Sequence, residues 1–200
     1  LVDQVHKLGA EDASLVLYDA GLGVLTDSLA AAVLDQRARY GRLIVGTAGS
    51  RGKLARLTNS DLIVASERAL RSSLRDYEQG VSALAYRLLE GTRGQSFVMP
   101  VGHKGLLCFD ARRDLTGNLE WEGKLRSEYI ASAVNGTIDR LGYDEALLAI
   151  AGALIGVGAT PQQAAYVGLA GAILEGRQPG HVPVDGHELR QLLESRPELA

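Results

Sequence analysis

At 200 residues, 46% of them hydrophobic, the chain has the size of a single domain with a substantial core. A formal charge of −3 without any basic run excludes the electrostatic footprint of a nucleic-acid binder. The longest apolar run, Ala146 to Ala159, is too short to cross a bilayer, so no membrane partner is expected either.

Cys108 is the only cysteine, so no internal disulfide forms, and a reducing, cytoplasmic setting is expected. Its neighbours Leu107 and Phe109 favour a buried thiol over a nucleophile or ligand. The first ten residues carry charge and lack an apolar segment with a cleavage site, so they do not read as a signal peptide. No methionine stands at position 1, and the expectation is of one domain, residues 1–200, within a longer chain.

In chain order, Leu1, Val5 and Leu8 make the apolar stripe of a short helix. Ser14 to Tyr18 reads as a buried parallel strand, followed by the glycine loop Asp19-Ala-Gly-Leu-Gly-Val-Leu-Thr26 and a helix from an Asp27 cap to about Tyr40. Arg42 to Gly46 and Asp61 to Ala65 are two further strands, with a short helix-prone linker between them. Strands separated by helices imply a parallel α/β sheet. Ser66 reads as an N-cap with Glu67 in the first helical turn, and Asp76 to Glu90 as an amphipathic helix. Ser96 to Val101 and Leu106 to Phe109 flank a turn bounded by Gly102 and Gly105, which makes a hairpin. Asp110 to Gly123 is a polar excursion holding Trp121, the one indole. Two small-residue helices follow, Ala146 to Val157 and Pro161 to Glu175, the second opening on a Thr160 cap with proline at its first position. A final helix spans Val184 to Leu193, capped near Asp185.

The stretch Asp139-Arg-Leu-Gly142-Tyr143-Asp144-Glu145 runs from a loop into a helix start, where free N–H groups and the helix dipole suit an anion. Its spacing resembles the Asp-Thr-x-Gly-Ala-Gly-Asp signature of the ribokinase-like (PfkB) carbohydrate kinases, which supplies that family's anion hole and catalytic base. The loop at Gly21, Gly23, Val24 and Leu25 is similar to that of the heptose-kinase-like branch, with Leu22 in place of its lysine. The turn at Gly102 and Gly105 resembles the family's Thr-x-Gly-x-x-Gly hairpin over the nucleotide, with Pro100 in place of the threonine. The third strand ends at Ser66 and Ala69, where the family has the Asn and Glu that help to place magnesium and phosphate.

Over roughly Ser14 to Leu193 the resemblance is to the C-terminal portion of such a kinase. It implies a three-layer α/β domain, a mainly parallel sheet flanked by helices, without the N-terminal sugar-binding portion and lid. It also implies ATP and Mg2+ as cofactors, a sugar or sugar-phosphate substrate, and a neighbouring domain or a homo-oligomer as partner. Glu145 falls on the catalytic base, and Gly142, Tyr143, Asp144, Gly102, Gly105 and Ser66 on the phosphate and nucleotide positions. The pattern is eroded, because Asp144 stands where the second glycine lets backbone N–H groups approach phosphate. Two unit charges about 4 Å apart cost roughly 4 kcal/mol at an effective dielectric near 20 unless they are neutralised. Alternatively, Asp144 and Glu145 simply stabilise the first turn of a helix. Two functions stay open: phosphotransfer from ATP to a sugar hydroxyl, weakened in this segment, or a non-catalytic module for dimerisation or regulation.

Overall fold

Four apolar runs become the parallel strands β1 (Ser14–Tyr18), β2 (Arg42–Thr47), β3 (Leu62–Ala65) and β4 (Ser96–Pro100); β2 to β4 are largely buried, whereas β1, expected as a buried strand, has no buried residue because it pairs only with β2 among the described residues. The computed structural model describes residues 3–4, 13–47, 54–112, 116, 118, 125–132, 141–180 and 182–196. Two antiparallel strands, β5 (Gly105–Asp110) and β6 (Arg126–Ala131), complete a six-stranded sheet whose spatial order repeats the chain order.

The two-residue period of the strands sorts their side chains into two cores. Leu43, Val45, Ile63, Phe97 and Phe109 face α1 (Asp27–Asp35), α2 (Glu67–Leu74) and α3 (Val81–Thr92). Phe97 and Phe109 stack there with ring centroids 5.8 Å apart. Ile44, Leu62, Val64, Val98 and Cys108 face α4 (Tyr143–Gly156) and α5 (Pro161–Glu175). The last helix, α6 (Gly186–Glu194), lies against α5. The result is the three-layer α/β arrangement expected above. Glycine sets the spacing of the second layer: a Cβ at Gly46 would stand 2.6 Å from Leu148, and one at Gly152 would stand 2.9 Å from Val16.

Several boundaries differ from expectation. Thr26, not Asp27, caps α1, accepting from the Leu29 N–H, and the helix gives way at Gln36 to a 3-10 turn over Arg37–Arg39. The helix expected from Asp76 begins at Val81. Asp76 instead folds the preceding loop, accepting from the N–H groups of Glu78 and Gln79 and from Arg87. The helix expected at Ala146 starts earlier, at Tyr143, because Gly142 takes φ +87° and turns the chain into it. β6 was not anticipated: Arg-Ser-Glu-Tyr-Ile-Ala is a mostly exposed edge strand without the apolar pattern of the others. Thr160 does cap α5, in a full capping box with Gln163, and Asp185 caps α6. Apart from residues 3–4, the expected N-terminal helix lies outside the described residues, as do Trp121, Asp139 and Arg140.

Candidate functional site

In a parallel sheet the chain leaves the carboxyl ends of the strands in loops, and ligands bind in the crevice those loops leave. Here β3 passes straight into α2 through Ser66, whose hydroxyl accepts the Ala69 N–H at 3.2 Å. β4 leaves Pro100 for the tight turn Gly102–Lys104, with Gly102 at φ +59°. α4 starts at the same end, its first turn carrying Tyr143, Asp144 and Glu145. Ser66, Pro100, Gly102, Tyr143 and Asp144 together line a pocket of 130 Å³.

The fold thus gathers four of the residues expected at a phosphate site, Ser66, Gly102, Tyr143 and Asp144, from three separate elements. Gly142 stands next to them as the N-cap of α4. The other two lie elsewhere. Glu145 lines a different depression of 290 Å³, formed with Ala149, Ile150, Val182 and Val184 and including Glu175 of α5, which is only 3% exposed. Gly105 sits inside the hairpin at φ +139°, where a Cβ would collide with the backbone carbonyl of Ile130 in β6. That glycine is required by close strand packing.

A second, larger depression of 520 Å³ meets the first along Ser66, Pro100 and Gly102 and opens towards α2, with Arg68, Tyr77 and Met99 in its walls. The sequence reading missed Arg68 and Tyr77. The signal was weak: Tyr77 lies in a stretch read as helix, whereas the structure puts it on the loop between α2 and α3.

The pocket lining also tests the implied cofactors. The 130 Å³ pocket continues into the 520 Å³ depression along Ser66, Pro100 and Gly102, and Asp144, a carboxylate-bearing residue, stands in its wall. Among the described residues no group of three or more His, Cys, Asp or Glu side chains is placed to hold a metal ion. What the lining shows is an acidic residue beside the place where phosphates would sit, which opposes their charge unless a cation neutralises it. Cys108 takes no part in the site: burial, with Asp110 and Glu128 adding to it, pushes its thiol from 9.0 up to about 12, far from a nucleophilic thiolate.

Comparison with solved structures places this geometry. Phosphofructokinase-2 from Escherichia coli, in complex with potassium, superposes with a TM-score of 0.74 at 15% identity, over 96% of this chain and 59% of that one. The fold is ribokinase-like. Ribokinase from Thermotoga maritima gives a TM-score of 0.69 at 14% identity over 92% of this chain and 57% of its own. Arabidopsis thaliana ribokinase, complexed with ribose and ATP, gives 0.70 at 16% identity over 98% and 59%. At these identities the likeness is one of fold, and this ribokinase-like chain spans less than three-fifths of each of these three kinases. No protein-family model matches the sequence, and no curated protein does. Among the described residues, no helix of the ribokinase-like domain is long and apolar enough to cross a membrane.

Proposed function

We propose that the chain is a carbohydrate kinase-like domain of PfkB type, nearest the heptose-kinase-like branch, in which phosphotransfer from ATP·Mg2+ to a sugar hydroxyl is degraded. One observation supports this reading: the pocket where α2, the β4–β5 turn and α4 converge gathers Ser66, Gly102, Tyr143 and Asp144, residues that the resemblance assigns to phosphate, and Asp144 stands in its lining. A glycine there would offer N–H groups without a side chain, whereas Asp144 adds both bulk and an acidic group. Glu145 remains our candidate base by its place in the sequence pattern, yet it lines the neighbouring depression with Glu175. A base must come within hydrogen-bond reach of the proton it takes, so residual catalysis through Glu145 requires the first turn of α4 to reorient.

Calorimetric titration with ATP·Mg2+ tests this. The wild-type domain is expected to bind with a Kd weaker than about 1 mM, and Asp144→Gly to tighten binding about tenfold or more. Asp144→Gly combined with Glu145→Asp should improve it beyond either single change. Micromolar binding by the wild type would overturn the reading.

A second reading, a non-catalytic module for dimerisation or regulation beside an active domain, is favoured by β1. This strand, Ser-Leu-Val-Leu-Tyr, carries no charge, pairs only with β2 among the described residues, and leaves Val16 39% exposed. Native edge strands usually carry charge or a covering element. We propose that another domain of the same chain, or a second copy, covers this edge. The inhibited form of Escherichia coli phosphofructokinase-2 is itself tetrameric.

A further inference from the structure

In a parallel ladder the N–H and C=O groups of alternate residues turn to the same neighbour. Gly41 donates to the Ala13 carbonyl and Asp19 to the Gly46 carbonyl, so the odd-numbered residues of β1 serve β2. Ser14 and Val16, between them, turn their backbone groups outward along an edge that holds no charge and no proline. The second helical layer reaches the same edge. α4 crosses β1 on glycine: a Cβ at Gly152 would stand 2.9 Å from Val16, and one at Gly156 would stand 2.5 Å from the Ser14 hydroxyl oxygen. From Ala146 to Val157 the sequence has no polar side chain, yet Ala149, Ala153 and Gly156 are exposed. A helix that is apolar all round is ordinarily buried.

The helical period says where that exposed side looks. Leu147 and Ala151 meet Gly168 of α5, and Ile150 meets Gly171, whereas Gly152 and Gly156 meet β1. At about 100° per residue, Ala149 and Ala153 are turned away from α5 and past the β1 edge. α4 packs on both β1 and β2, so its axis runs above the gap between them. Neighbouring strands lie about 4.8 Å apart, so a second β1 paired at this edge, related by a two-fold axis perpendicular to the sheet, brings a second α4 to about 10 Å from the first. Helices pack at about 8–10 Å depending on the side chains between them, and alanine and glycine leave room for that approach.

We propose that this face is the interface of a two-fold dimer, in which β1 pairs antiparallel with β1 of a second copy about an axis at Val16 and the two α4 helices pack through Ala149, Ala153 and Gly156. The proposal rests on the second reading above and names its occupant. The face is self-complementary, as a two-fold interface requires. With the axis at Val16, the outward N–H and C=O of that residue exchange hydrogen bonds with those of its copy, and Leu15 stands opposite Leu17, so no like charges meet. The strand is about 17 Å long, α4 beyond Ala146 about 18 Å, and the two layers together about 20 Å tall, a flat footprint of roughly 350 Å² per copy. That is the small end of specific interfaces, so the dimer is micromolar rather than nanomolar. The two phosphate-end pockets open at opposite ends of the joined sheet, and neither copy completes the other's.

The test is sedimentation of the 200-residue chain over about 5–500 µM, joined to cross-linking at the axis. The mass is expected to rise with concentration from 21.2 kDa towards twice that value, with a Kd on the order of 10–100 µM. Val16→Cys sets two thiols across the axis on Cα atoms about 5.5 Å apart, a separation a disulfide spans, and should oxidise to a linked dimer. Val24→Cys, 65% exposed on the loop after β1, should give about fivefold less linked dimer or lower still. Cys108 is buried and does not compete. Ala153→Glu sets two carboxylates against each other between the α4 helices and should weaken dimerisation about tenfold or more, with the fold verified by circular dichroism. A monomer at every concentration overturns the proposal. So does a dimer that Ala153→Glu leaves intact, or one that Val24→Cys traps as well as Val16→Cys does, because the copies then meet elsewhere. The broader reading of a covered edge survives a monomer and fails separately, if Val16→Lys leaves the stability of a longer expressed chain unchanged.

Discussion

Two glycines show how differently one residue type is constrained. Gly105 combines φ +139° with the β6 backbone directly against it, so Gly105→Ala is expected to destabilise by about 3 kcal/mol in urea denaturation. Gly91, exposed near the end of α3, has open space where a Cβ would go. Gly91→Ala should therefore stabilise by about 0.5 kcal/mol, through helix propensity and a less free unfolded chain. Cys108 gives a third expectation at this scale. With its thiol held up at about 12, the native protein should resist a thiol-specific disulfide reagent at neutral pH and react fully once unfolded. The sign of its pH effect follows. The unfolded thiol ionises near 9.0 while the folded one stays neutral, so its contribution is complete below 9.0 and is lost as pH rises towards about 12. Its burial was legible from Leu107 and Phe109 alone. The turning aside of Glu145 was not, because sequence spacing fixes a position along α4 but not which neighbouring element that position meets.

At the scale of elements, apolar period and capping chemistry were good guides where a strand or helix is buried. β1 to β4 and α5 appear where Leu-Ile-Val runs and the Thr160-Pro161 pair put them. Thr160→Ala removes the oxygen that accepts the Gln163 N–H and half of a capping box, and should cost about 1 kcal/mol by thermal denaturation. Reading failed where an element gains little from burial. β6 is built from Arg126, Ser127, Glu128 and Tyr129, all exposed, and is held by its ladder to β5 and by the Tyr129 hydroxyl donating to the Lys104 carbonyl. The segment before α3 failed for another reason. Asp76 competes with the helix by bonding its own local N–H groups, which the Val81 to Leu89 stripe does not reveal.

For the whole molecule, the parallel α/β sheet followed from alternating strand and helix signals, and its ribokinase-like form from the resemblance that the ordered glycine turns carry. The convergence of Ser66, Gly102 and Asp144 is a property of the fold, since these residues are far apart in sequence and meet only at the strand ends. If β1 is covered by a second copy, light scattering of residues 1–200 should give a mass above the monomer's 21.2 kDa, and Val16→Lys should return it to the monomer. A monomer in both cases would leave a covalent neighbour as the occupant of that edge, visible as a gain in stability when a longer chain is expressed.

Because the order of strands in space repeats their order in the chain, each new strand meets an edge already laid down, and the sheet can grow one strand at a time during synthesis. The helices on the first face arrive between the strands and cover it as it forms. Those on the second face, α4 and α5, come last, after all six strands. A nascent chain that has completed β6 but not α4 and α5 thus carries Ile44, Leu62, Val64, Val98 and Cys108 uncovered on one broad face. The vulnerable interval of its biogenesis is therefore late, and chaperone engagement should peak on ribosome-bound chains stalled just short of α4.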